Sequence, residues 1–328
     1  MFNNRLEFTA EWYKNRSEDL LYGVPVPEQA GVSNTSVTMN AASMDNSVFE
    51  FSATYRNRDH ALKYEIGANL STLKNKVTSL GFGDKYITGA YATYVGREIG
   101  KFYGWVYEGI ARTQADLDNH ATQQGANIGD CLYKDVSGPN GVPDGKIDEN
   151  DQVVLGSGLP KVNFGVNVRL EYKNFDLNIS TYGALNYHVS DDIYNSLNSC
   201  YGWGNKSVDM LDANRYSEDG ATYLSDVPRT YVTNNATLGW NDLFSSRKIQ
   251  NAAYWKIANV ELGYNFPNKW LGGLVSGVRA YISAQNLYTF TKYHGYNVDY
   301  AGGTFTPGYN FCSFPSARSV MFGLHFTF

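Results

Sequence analysis

Hydrophobic residues recur at every second position in eight separate stretches of the chain, the period of a strand whose two faces differ. In the first, Leu6, Phe8, Ala10 and Trp12 alternate with Arg5, Glu7, Thr9 and Glu11. Phe49, Phe51, Ala53 and Tyr55 make the second, and Leu62, Tyr64, Ile66, Ala68 and Leu70 the third. The fourth is the cleanest: Val162, Phe164, Val166, Val168, Leu170 and Tyr172 oppose Asn163, Gly165, Asn167, Arg169 and Glu171. Phe175 to Tyr187 is the fifth. Ala258, Val260, Leu262, Tyr264 and Phe266 make the sixth, and Val278, Ala280, Ile282 and Ala284 the seventh. The chain ends on Val320, Phe322, Leu324, Phe326 and Phe328.

A soluble sandwich also alternates, with its apolar parity turned inward. Length separates the two. Most of these segments run about 9 to 13 residues, where ordinary strands average roughly 5 to 6 and a tilted membrane strand needs about 9 to 11. Connection lengths argue independently: between the residues named lie 36, 6, 91, 2, 70, 11 and 35 others, long and short in strict alternation. Outer-membrane barrels sort short turns to one side and long loops to the other. The pattern therefore predicts an all-β fold, an antiparallel transmembrane β-barrel wall of about eight strands, with long external loops over 74–161 and 188–253. Gln114 to Thr122 and Asp191 to Leu197 are expected to be short helices within those loops, the second capped by Ser190.

Composition supports this. Aromatic residues make up 15% of the 328, with 32 Gly and 9 Pro, as befits β structure with exposed rings. No run of 18 apolar residues occurs, so no transmembrane helix is expected. A net charge of −5 with no Lys/Arg block argues against nucleic acid as a partner. Cys131, Cys200 and Cys312 are too few and too far apart for a disulfide framework or a zinc site. The start, Met1-Phe2-Asn3-Asn4-Arg5, has neither the basic nor the apolar region of a signal peptide.

With the apolar parity on lipid, the other parity lines a wet interior and carries Glu7, Arg56, Glu65, Arg169, Asp176, Glu261 and Arg279. These read as lumenal ion pairs. In the segment Asp135 to Asp151, oxygen ligands on a turning backbone suit calcium, with Asn140, Asp144, Asp148 and Asp151 at EF-hand-like spacing and Asp135 as a substitute ligand. Val142 sits where a ligand belongs, and a solvated acidic turn is the competing reading. Loop aromatics, among them Tyr103, Trp105, Tyr107, Tyr201, Trp203, Trp240, Tyr293 and Tyr296, suit capture of sugar or peptide and equally suit packing of loop on loop. Catalysis finds no motif: the five histidines lack HExxH spacing, and no Gly-x-Ser-x-Gly elbow is present. The chain is not expected to be an enzyme or to require a cofactor.

Several blocks resemble the C-terminal part of the SusC/RagA family of TonB-dependent outer-membrane transporters. They include Phe2-Asn3-Asn4-Arg5-Leu6, Gly100-Lys101-Phe102-Tyr103-Gly104-Trp105-Val106-Tyr107-Glu108-Gly109-Ile110 and Asp144-Gly145-Lys146-Ile147-Asp148-Glu149-Asn150-Asp151. Leu262-Gly263-Tyr264-Asn265-Phe266-Pro267 and Ala284-Gln285-Asn286-Leu287-Tyr288-Thr289-Phe290 follow. The resemblance implies a 22-stranded barrel with a plug, a SusD-like lipoprotein lid, TonB as energy source and oligosaccharide or peptide as cargo. It implies that Phe326 and Phe328 are the signal read by the barrel assembly machinery. Against the family pattern, this chain is expected to be the last third of a transporter, without plug, TonB box or signal peptide. A small passive barrel or surface recognition protein and a soluble β-rich glycan-binding module are the alternatives.

Overall fold

The computed structural model describes residues 5–25, 36–81, 83–200, 204–231, 239–271, 275–299 and 302–328. Eight long strands form one antiparallel sheet: β1 (Leu6–Pro25), β2 (Ser36–Asn57), β3 (Leu62–Ser79), β4 (Val162–Tyr172), β5 (Phe175–Leu185), β6 (Tyr254–Asn265), β7 (Gly277–Thr291) and β8 (Ser319–Thr327). Each pairs only with its sequence neighbours, so the sheet is a simple meander with β1 and β8 as its edges. Those edges do not pair with one another, so the eight strands do not close into a small barrel by themselves.

The register puts all the apolar parities on one face. Phe8, Ala53, Ala68, Val166, Thr181, Ile257 and Tyr288 belong to this face, as do Leu70 opposite Phe51 and Ile282 opposite Phe322. Phe8, Trp12, Phe49, Ile66, Leu262, Phe322 and Phe326 remain exposed there. A soluble module would have to cover so continuous an apolar face; lipid covers it without further chain. Aromatic rows mark both ends. Phe175, Tyr264, Phe266 and Trp270 follow one another at centroid distances of 4.8 to 6.3 Å at the short-turn end. Trp255 stacks on Phe290 at 5.4 Å at the other. On β3 the apolar parity runs from Leu62 to Thr72, about 34 Å of strand at ~3.4 Å per residue; a tilt of about 40° brings it near the ~25 Å apolar band of an outer-membrane barrel.

Two features depart from the expected pattern. First, β1 and β2 continue well beyond Trp12 and Phe49, and β3 reaches Ser79. Above the apolar band the outward parity turns charged, with Lys14 paired to Asp45 at 2.7 Å and Arg16 beside them. The strands have left the band and are wet on both faces, which erases the alternation. Second, a bulge at Ala258 shifts the parity of β6, so that Ile257 and Trp255 point outward and Lys256 and Tyr254 inward.

Beyond the sheet, the long connections fold into ordered layers. Residues 85–88, 91–94, 101–104 and 153–157 form a four-stranded sheet. Residues 188–191 pair with 250–251 and with 309–310, tying together the two later loops. The helices run Gln114–Asp118 and Asp192–Leu197. The first is shorter than expected, ending at Asp118 with Asn119 as its C-cap; the second takes Asp191, not Ser190, as its N-cap, with Asp191 accepting from the Tyr194 amide at 2.9 Å.

Candidate functional site: the inner face and its folded-in loop

The inner face of the wall is held by bridged carboxylates. Arg56 donates to Glu65 at 2.8 Å and to Glu7 at 2.9 Å, linking β1, β2 and β3. Arg279 forks onto Asp176 at 2.5 and 3.1 Å and reaches Glu261 at 2.7 Å, linking β5, β6 and β7. Arg169 pairs with Glu171 at 2.9 Å. Each guanidinium offers several donors in a fixed plane, so one arginine can bind carboxylates on two neighbouring strands. Gly263 leaves the space for this: a Cβ there would lie 2.4 Å from the Arg279 guanidinium.

At the long-loop end, the connection between β7 and β8 runs back across this inner face. Three anchors hold it. Tyr293 and Asn310, both buried, meet the buried carboxylate of Asp191, with Asn310 donating to the Tyr293 hydroxyl at 2.6 Å. Asp299 accepts from Lys256 at 2.5 Å and from the hydroxyls of Tyr182 and Tyr254 at 3.0 and 3.3 Å. Lys256 is 4% exposed, and burying its ammonium requires this carboxylate. Phe305 packs edge-on against Tyr86 at 5.5 Å, beside the cluster of Val24, Ala42, Val77, Leu80 and Ile99. Pro307 then presses on Gly158, where a Cβ would stand 1.9 Å from its carbonyl oxygen.

Between this loop and the wall lies a cavity of about 680 Å³. Met44, Leu73, Leu159 and Val298 give it apolar sides, and Asn46, Asn163 and Asp299 supply polar groups. Asn75 braces it, donating to Asn46 at 2.7 Å and accepting from the Ile99 amide at 2.9 Å. Lys256 answers the charge of Asp299, so the lining offers amides and apolar surface around a closed ion pair.

The aromatic candidates divide by location. Trp105, Tyr107 and Trp240 pack around buried Cys131, Tyr133 and Ile147. Trp105 donates its indole N–H to the Asp148 carbonyl at 3.0 Å and Trp240 to the Gln124 carbonyl at 2.9 Å. These rings bind the long loops to one another. Tyr103 is half-buried in the strand 101–104, and Tyr293 is the loop anchor just described. Tyr296 is exposed. Tyr201 and Trp203 lie outside the described residues.

No family model matches the chain. The TonB-dependent receptor P3 of Formosa agariphila is 32% identical over the whole chain, and the matched part is 33% of that receptor. SusC, a TonB-dependent receptor of Bacteroides thetaiotaomicron, is 25% identical over 99% of the chain and 30% of its own length. The chain is similar to TonB-dependent receptors, SusC among them. In fold it follows the solved structure of the RagAB peptide transporter, with a TM-score of 0.78 at 22% identity over 99% of this chain and 33% of that one. The chain thus spans about a third of the relatives it matches.

The acidic turn of this chain is ordered by its own backbone. Asp151, fully buried, accepts from the amides of Val136, Ser137 and Asp148 at 2.8, 3.1 and 2.9 Å. Asp148 accepts from Asn150 at 2.7 Å, Asp135 from Gly145 at 2.7 Å and Asp144 from Lys146 at 3.1 Å, while Asn140 is exposed. Among the described residues no three acidic, His or Cys side chains converge as a metal site. Phe326 and Phe328 stand exposed at the end of the edge strand β8. The residues that sequence reading passed over are Asp299 and Lys256, whereas Asn163 already stood in the polar parity of the fourth segment. Only Lys256 left a signal: it occupies the apolar parity of the sixth segment, where a charge would face lipid, and the bulge at Ala258 turns it inward.

Proposed function

We propose that this chain supplies wall, outer loops and a terminal assembly strand to a TonB-dependent nutrient importer of a Gram-negative outer membrane. The cargo, an oligosaccharide or a peptide, enters along the inner face, past the cavity beneath the folded-in loop. The observation that carries the reading is the division of one sheet into a continuous apolar face and a face of bridged charges. Such a sheet separates lipid from a wet lumen. The likeness to TonB-dependent receptors supports the energy coupling, and the likeness to the RagAB peptide transporter supports peptide as one kind of cargo. By the same likeness, the intact receptor pairs with a SusD-like surface lipoprotein and reaches TonB through parts outside this third.

Deleting the gene tests the reading. The mutant should lose growth on one polysaccharide or protein digest too large for passive entry, and keep growth on the corresponding monomers. Undiminished growth on every such polymer would count against import. Phe328→Ala in the intact receptor should lower the amount in the outer membrane several-fold by immunoblot, with transcript unchanged; normal surface levels would remove the assembly role.

A further inference from the structure

Four exposed cations stand on the outward side of the wall, just above the apolar band at its long-loop end. Lys14 and Arg16 follow Trp12 in the outward parity of β1, and Lys74 and Lys76 follow Thr72 in that of β3. The register sets them in two rows across three strands: Lys14, Ser47 and Lys74 below, Arg16, Asp45 and Lys76 above. Strand geometry puts the corners of this frame about 10 Å apart across the sheet and about 7 Å apart along it.

The neighbouring carboxylates lie in the centre or on the β1 side. Asp45 takes Lys14 at 2.7 Å, and Glu18 takes Arg16 at 2.9 Å. Glu18 and Asp19 occupy the bulge of β1, outside the ladder, with Asp19 at φ 55°. Lys74 and Lys76 have no carboxylate within ion-pair distance among the described residues, so the β3 side of the frame keeps its charge.

Height decides what can meet it. Two and four residues beyond Thr72, on a strand tilted about 40°, the two lysines stand roughly 5 and 10 Å above the band. The headgroup layer over each side of the hydrocarbon is about 5 to 8 Å deep, so flexible lysine stems keep both ammonium groups within it. Directly below, Trp12 and Phe49 are exposed with their rings 6.3 Å apart, a surface for acyl chains. On β5, β6 and β7 the outward residues at this end are Leu185, Trp255 and Phe290, so the charge is local to β1 and β3.

We propose that this frame binds the phosphate of an outer-leaflet glycolipid whose acyl chains lie over Trp12 and Phe49. Ammonium groups on long stems hold a phosphate as point charges, and Ser47 and Asp45 between them suit the hydroxyls that flank a phosphate on a sugar headgroup. Free phosphate has no acyl chain to lay on the rings and is held far more weakly. The proposal rests on the outer-membrane reading of the wall. Heat-modifiable migration of the purified receptor reports on that wall separately, so a heat-modifiable receptor without the lipid preference would sink this proposal alone.

The test uses the intact receptor purified in detergent and native mass spectrometry with monophosphoryl lipid A, its dephosphorylated form and dioleoyl phosphatidylglycerol. Monophosphoryl lipid A should bind at least about fivefold tighter than either of the others, more weakly as salt rises, and undisturbed by millimolar inorganic phosphate. Lys74→Gln with Lys76→Gln should weaken it about tenfold or more, Lys74→Arg with Lys76→Arg by less than about threefold, and Lys134→Gln in the outer loops not at all. Equal binding of the dephosphorylated form, displacement by inorganic phosphate, or full affinity in the double glutamine variant would overturn the proposal. Equal binding of phosphatidylglycerol would overturn it too, showing a general attraction for anionic lipid. If the double glutamine variant fails to assemble, the phosphate preference and salt dependence of the parent decide.

Discussion

Cys131 and Cys200 are fully buried, whereas Cys312 is exposed on the loop before β8. Burial pushes the Cys131 thiol up to about 12 and the Cys200 thiol up to about 11. Because the thiolate is the nucleophile, maleimide at pH 8 should label Cys312 within minutes in the folded receptor and the other two only after denaturation. Peptide mapping reads this directly, and equal labelling of Cys131 would show a looser loop core. His188 gives a pH signature. It lies in the strand 188–191, and burial lowers its affinity for protons below the ordinary value of 6.5, while a Ser157 backbone contact partly restores it. The folded chain therefore binds fewer protons at this site than the unfolded one, so stability rises with pH through this window. It should be undiminished above about pH 7 and erode as the pH falls below 6.5 and through the folded value. Melting curves between pH 5 and 7.5 should show this slope, and His188→Gln should flatten it.

At the scale of elements, Gly158 carries the sharpest constraint, since a Cβ there meets backbone rather than a movable side chain. Gly158→Ala should push the β7–β8 loop off the wall at a cost of about 1 to 3 kcal/mol. Limited proteolysis would then cut near Pro307 in the variant and spare the parent; identical digestion would mean the loop is not pressed there. Nothing in the sequence marked this contact. The eight wall strands were legible because each crosses between lipid and water and must alternate, and their order followed from strict alternation of loop lengths. Where both faces are wet, as at Lys14 to Asp19 of β1, the pattern stops although the strand goes on. Lys256 in an apolar parity could have announced the bulge at Ala258. The anchors of the folded-in loop, Asp191 with Tyr293 and Lys256 with Asp299, join residues far apart in sequence, and no local period encodes such pairs.

For the molecule as a whole, the decisive property is that two residues three apart on β3 live in different solvents. Ile66 is exposed on the apolar face near the middle of the band, and Asn69 is exposed on the inner face beside Gly165. Placing arginine at the first should cost roughly 2 to 4 kcal/mol, the price of a cation at the bilayer midplane. At the second it meets lumenal water and should cost little. In the intact receptor, Ile66→Arg should therefore reduce folded, heat-modifiable protein in the outer membrane, while Asn69→Arg should assemble at parental levels. The pair places the same cationic side chain on one strand, so general disruption of β3 by arginine would affect both alike. Equal tolerance of both would mean that the apolar face is covered by protein rather than lipid. Equal intolerance would mean that the inner face is packed and dry, and the lumenal reading of Arg56, Arg169 and Arg279 would fall with it.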